Sequence, residues 1–233
     1  MGTLENKTPR REFIGSLATG AATLGMAAIA APIGLHAKAG VNRLDENDPN
    51  AWFDKIKDKK HKVVFDATRP HDILPFVWPL VYLMTNEATG SPNSDCGVVV
   101  VLRHDAIPYA MQDNLWAKYK FGEMFKAGDP VKKTEAAERN PFWNPKPGDF
   151  VVPGVGEAQI GINQLQERGV LFGVCDVALS VYSAVTAGAS NLDAAELKKE
   201  WVAGLLPGVQ VLPSGVWAVG RAQEKGCSYI FAG

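Results

Sequence analysis

Cysteine is scarce in this chain of 233 residues: there are three, too few for a disulfide framework and with no metal-finger spacing. Histidine is scarcer than the length would suggest, at four. No charge of one sign predominates. The 24 basic and 25 acidic residues give a net charge of −1, which lacks the electrostatic footprint of general nucleic-acid binding. No Walker A sequence occurs, Gly154-Val-Gly156 fails to extend to a dinucleotide fingerprint because residue 159 is Gln, and Ser214 is not in a G-x-S-x-G elbow. Beyond the first 40 residues, long apolar runs are missing too. The stretch Ile73 to Met84 is too short to span a bilayer and is interrupted by Pro75 and Pro79. What remains is ordinary globular composition, 46% hydrophobic and 9% aromatic, which excludes wholesale disorder.

That composition averages two unlike pieces. Thr8-Pro9-Arg10-Arg11-Glu12-Phe13-Ile14 leads into a weakly apolar Ala-, Gly- and Leu-rich stretch ending near Ala31, followed by Ala37-Lys38-Ala39. A charged start, a short apolar segment and a small-x-small site describe a secretory signal, and the adjacent arginines resemble the twin-arginine export motif. A spanning anchor is the weaker reading, because the run is short and rich in Gly and Ala. The expectation is a bacterial periplasmic or exported protein, free of the membrane after cleavage. Removing 39 residues with four basic and two acidic groups leaves 194 residues of net charge −3. An extension at 40–60 precedes one domain from residue 61 to 233.

Within that domain strand and helix alternate. His61–Asp66, Gly97–Leu102, Val170–Val174, Val209–Leu212 and Ser228–Phe231 read as strands, and the continuous apolar run at Gly97–Leu102 is how a strand buried on both faces reads. Between them, Met111, Leu115 and Tyr119 repeat at helical spacing, and Arg168-Gly169 stops a helix carrying Ile160 and Leu165. Asp193 caps a helix through Leu197 and Trp201, and Ser214 caps a last one ending at Gly226. The run from Ile73 reads as a core helix that starts late or bends near Pro79. The pattern predicts an α/β fold: a three-layer α/β/α sandwich on a five-stranded, mostly parallel sheet. A polar, proline-rich insert at 128–154 interrupts it, and reads equally as a lid or as an arm on a neighbouring subunit. Its rings Phe142, Trp143 and Phe150 argue that it packs on something.

Ligand sites of open α/β sheets lie beyond the carboxyl ends of the strands. Those ends carry Asp66, then Arg103-His104-Asp105, then Cys175-Asp176, then Pro213-Ser214-Gly215. Cys175 ends a strand and directly precedes a helical run, so its sulfur meets the positive end of a helix dipole, which favours the reactive thiolate. Arg103 or His104 across the crevice would favour it further. The competing reading is an inert buried thiol. Cys175, His104 and Arg103 are therefore the catalytic candidates, with Asp66, Asp105, Asp176, Ser214 and Trp143 as substrate-binding candidates. No metal or cofactor is expected, since nothing fixes His104, Cys175 and a carboxylate at ligand spacing. Cys96 and Cys227 fall at the amino-terminal ends of strands and read as buried free thiols.

Three segments carry a resemblance: Gly169-Val-Leu-Phe-Gly-Val-Cys175-Asp-Val-Ala178, Leu206-Pro-Gly-Val-Gln-Val-Leu-Pro-Ser-Gly215-Val-Trp, and Gln223-Glu-Lys-Gly-Cys-Ser-Tyr-Ile230. They resemble the DsrE/DsrF-like (YchN-like) family, which has a single cysteine after the third strand, a Pro-Ser-Gly turn and a closing Gly-aromatic-Ile strand. The resemblance implies a compact α/β/α fold, a homo-oligomer (trimer or hexamer), and sulfur relay through a cysteine persulfide with a small sulfur compound or a sulfur-transfer protein as partner. Only Cys175 carries over as the sulfur-accepting position. The chain departs from the family in its export signal, its insert, and the sequence Leu179-Ser-Val-Tyr-Ser-Ala184 where relay members often have Arg-Gly. The alternative from the residues alone is a non-catalytic small-molecule or metal-binding module, or a structural oligomer.

Overall fold

The run Cys96–Leu102 is apolar at every position after its glycine, and all seven of its residues are buried. Such a strand has no solvent face, so helices must cover both of its sides. The computed structural model describes residues 48–233. The export-signal reading of residues 1–39, and the start of the extension at 40–47, lie outside the described residues.

In chain order the elements are α1 (Pro49–Phe53), β1 (His61–Ala67), α2 (Leu74–Ala88), β2 (Cys96–Leu102), α3 (Asp113–Tyr119), α4 (Phe121–Met124), β3 (Val151–Val152) and β4 (Gly156–Glu157). There follow α5 (Ile162–Glu167), β5 (Leu171–Cys175), α6 (Asp176–Ser190), α7 (Ala194–Ala203), β6 (Gln210–Leu212), α8 (Gly215–Glu224) and β7 (Ser228–Phe231). Five strands form one parallel sheet in the order β6-β5-β2-β1-β7. β3 and β4 make a separate antiparallel ribbon.

Alternation along the strands sorts the core into two layers. Val63, Phe65, Val98, Val100, Leu102, Phe172 and Val174 pack with Phe76, Leu80, Trp116 and Leu179. Val64, Val99, Val101 and Leu212 face the other way, onto Trp52, Phe53, Ile56, Ala218 and Ala222. The fold is therefore a three-layer α/β/α sandwich on a five-stranded parallel sheet. No described helix is long and apolar enough to cross a membrane.

One expectation changes. Helix α2 begins at Leu74, ahead of Pro75, and continues through Pro79, so it does not start late. Pro75 stands in the first turn, where no N–H is needed. Pro79 removes a single intrahelical bond, and its ring is buried. The rings of the insert do pack, and they pack within this chain. Phe142 is fully buried, stacks on Phe76 at 4.1 Å between centroids and on Phe150 at 5.3 Å, and meets Tyr109 edge-on. Asn140, also fully buried, donates to the carbonyls of Tyr109 and Met111 and accepts from the Phe142 N–H. Buried Asp129 accepts the N–H groups of Val131 and Lys132 and pairs with Arg139. A polar, proline-rich stretch thus holds its place through internally satisfied side chains, which leaves its rings free to complete the core.

Candidate functional site

Beyond the carboxyl ends of β2, β5 and β6 lies a cavity of about 310 Å³, lined by Arg103, His104, Cys175, Val177, Ala178, Val181, Tyr182, Ser214, Gly215 and Val216. Three chain segments build it, and local chemistry explains each.

The first is the β5–α6 junction. Cys175 is the last residue of β5 and the N-cap of α6, with extended backbone, and its sulfur accepts the Ala178 N–H at 3.3 Å. A capping sulfur does the work usually done by Ser or Asp, so the thiol is aimed at the free N–H groups of a 15-residue helix. Cys175 is only 6% exposed and is one of the residues that line the cavity.

The second is the turn after β2. Arg103 Nε and Nη2 donate to the two carboxylate oxygens of Asp66, at 2.6 and 2.8 Å, and Tyr229 Oη donates to the same carboxylate at 2.9 Å. Asp66 is 2% exposed and is the penultimate residue of β1, which lies between β2 and β7. Its hydrogen bonds raise the Arg103 pKa above the ordinary guanidinium value against an opposing effect of burial, and the nearby Tyr229 and Cys175 act in the same direction. Arg103 Nη1 has no hydrogen-bond partner among the described residues. The chain then turns at His104, whose φ of 51° is left-handed. That conformation is uncommon outside glycine and persists only where the surroundings enforce it. It leaves the His104 side chain 63% exposed on the cavity rim, with Nδ1 3.2 Å from Asp105.

The third is the β6–α8 turn. Ser214 caps α8 by accepting the Trp217 N–H at 3.1 Å. Gly215 then passes directly over Arg103: a Cβ there would come 2.5 Å from the Arg103 Cβ and 2.6 Å from its Cδ. The Pro-Ser-Gly turn thus needs its glycine for the close approach of an arginine stem.

Of the sequence-predicted residues, Arg103, His104, Cys175 and Ser214 share the cavity wall, and Asp66 and Asp105 stand behind it. Asp105 accepts a hydrogen bond from Tyr182, whose hydroxyl pKa is raised by burial first and by that bond second. Two candidates are not brought there. Asp176 pairs with Lys198 of α7 at 2.7 Å, and Trp143, within the insert, is half-buried against the core. Among the described residues no cluster of three or more His, Cys, Asp or Glu is placed to hold a metal ion. Cys96 and Cys227 are buried with free thiols on β2 and at the start of β7, strands separated by β1.

Sequence reasoning missed Tyr182, Tyr229 and the valines. Tyr182 was within reach, since it stands two helical turns after Cys175 and so on the same face. Tyr229 was not, because only the return of β7 to the side of β1 brings it to Asp66.

No family model and no curated protein matches the chain. Among solved structures, a protein of unknown function, MTH1491, from Methanobacterium thermoautotrophicum aligns at 18% identity with a TM-score of 0.37, covering 74% of this chain and 99% of that one.

Proposed function

We propose that this chain is an exported, DsrE-like sulfur-handling protein in which Cys175 accepts sulfane sulfur and holds it as a persulfide. One observation carries the reading. A cysteine sulfur at the amino terminus of a long helix opens into a cavity beside an arginine whose orientation is locked by a buried aspartate. The persulfide anion formed from polysulfide by displacement of a chain shorter by one sulfur would be stabilised by the α6 dipole and by Arg103. His104 on the rim is the group placed to exchange a proton with reactant or product. The resemblance around Cys175, Pro213-Ser214-Gly215 and Tyr229-Ile230 supports the same chemistry, with periplasmic location, an oligomer and a sulfur-donating compound or protein as its setting.

The experiment is intact-protein mass spectrometry after incubation with polysulfide. The expected result is a gain of one sulfur atom, mapped to Cys175 and absent in Cys175→Ser. A protein that gains no sulfur at any pH between 6 and 9 would be a binding module rather than a sulfur carrier.

A further inference from the structure

The cavity wall combines two chemically distinct surfaces. Its polar part is Arg103, with Nη1 unpaired among the described residues, together with His104, Ser214 and the Cys175 sulfur. The remaining wall is almost wholly apolar: Val177, Ala178, Val181 and the Tyr182 ring from one face of α6, and Val216 from the first turn of α8. Val181 and Val216 are 51% and 69% exposed, so among the described residues nothing covers these two β-branched side chains at the mouth. A site for sulfide, thiosulfate or a heavily charged thiol has no use for such a wall, because those ligands keep their hydration. The cavity volume of about 310 Å³ is at the small end of the range for small-molecule sites. It suits a ligand of about one ring rather than a dinucleotide or a peptide.

Building on the sulfur-handling reading of Cys175, we infer that the sulfur donor is an organic thiosulfonate, an anionic oxo-sulfur head on an apolar group. The head meets Arg103 and the group lies against Val177, Val181 and Val216. In the step this implies, the Cys175 thiol first releases its proton to water. The thiolate then attacks the terminal sulfur of R–SO₂–S⁻. One S–S bond forms, to Cys175, and one breaks, between the sulfane and sulfonyl sulfurs. The bonding pair leaves on sulfur as the sulfinate R–SO₂⁻. Two negative charges enter and two leave, on the persulfide and the sulfinate, so no separate oxidant or reductant takes part. Arg103 is placed to hold the sulfonyl oxygens as charge builds on them.

The test compares benzenethiosulfonate, methanethiosulfonate and thiosulfate as donors to the full chain. The rate of Cys175 persulfide formation is divided by each donor's rate with free cysteine, which removes intrinsic reactivity. A ring against the valine wall should favour benzenethiosulfonate by at least about tenfold over the other two, the usual worth of a small apolar group in a matched pocket. Val181→Ser and Val216→Ser remove apolar wall without adding charge, and should bring the preference for benzenethiosulfonate over methanethiosulfonate, two donors of equal charge, within about threefold. Both positions face solvent, and Val181→Thr and Val216→Thr, closer to valine in shape, serve if a serine variant fails to fold. If Cys175 takes sulfur from all three donors at equal normalised rates, or keeps its preference in these variants, the sulfur-carrier reading stands and this inference is overturned. If no donor modifies Cys175, both are overturned.

Discussion

Replacing Asp66 by Asn tests the arrangement that holds Arg103. The carboxylate accepts three hydrogen bonds, two from Arg103 and one from Tyr229, at 2.6, 2.8 and 2.9 Å, and is 2% exposed. A carboxamide of the same shape keeps one oxygen and presents an NH₂ group to donors. It therefore loses at least one charge-assisted bond, worth roughly 1.5–3 kcal/mol, and leaves a second weakened. The Arg103 side chain is 28% exposed, so water recovers part of the guanidinium's loss and the full penalty of a buried broken pair does not apply. The net expectation is about 2–3 kcal/mol. With a urea m-value of about 2 kcal/mol/M for a domain of this size, the midpoint falls by about 1–1.5 M, read by tryptophan fluorescence. Tyr229→Phe, which removes one hydrogen bond from a 44% exposed side chain, should cost less, about 0.5–1.5 kcal/mol. The decisive measurement is the double-mutant cycle of Asp66→Asn with Arg103→Gln, expected to show about 2 kcal/mol of coupling. Slower sulfur uptake by Cys175 should accompany the loss. Coupling below about 0.5 kcal/mol, or unaltered uptake in Asp66→Asn, would refute the claim that the aspartate positions the arginine.

Two further outcomes follow from the packing. Burial pushes the Cys227 thiol up to about 11, with Lys62 opposing weakly, so the folded state holds this proton after the unfolded chain has released it. Stability should therefore decline from about pH 9 toward about pH 11, and native-state alkylation of Cys227 should stay slow across that window and appear only above it. Rapid alkylation of Cys227 at pH 8 in the folded protein would contradict this. Phe142→Ala should cost about 3–5 kcal/mol, the cost of a cavity in a packed aromatic cluster, and should make residues 128–154 susceptible to limited proteolysis. A change under about 1 kcal/mol would mean that the insert is peripheral after all.

The five strands, the caps Asp193 and Ser214, and the strand-end positions of Asp66, Arg103, Cys175 and Ser214 were legible in the sequence. Each rests on local chemistry: β-branched runs, side chains that bond their own helix, glycines that stop it. The same reasoning placed Cys175 at a helix start, because strand and helix abut there without a loop. It failed where a residue's neighbours are distant in the chain. Trp143 and Asp176 looked like site residues by composition and by proximity to Cys175, yet their partners are the core and Lys198 of α7. What the polar insert packs on was not legible either, because a buried Asn140 or Asp129 is invisible until its hydrogen-bond partners are known.

What the amino-acid order determined by itself was the alternation of strand and helix and the convergence of reactive side chains on one sheet edge, since both follow from periodicity and from the direction of parallel strands. What only the tertiary structure decided was the order β6-β5-β2-β1-β7. That order returns the last strand to the side of the first, sets Tyr229 against Asp66, ties Arg103 beneath Gly215, and turns four candidate residues and a row of valines into one cavity. The physical reason is that strand order is chosen by the best total burial of both sheet faces, a property of the whole chain that no local segment encodes.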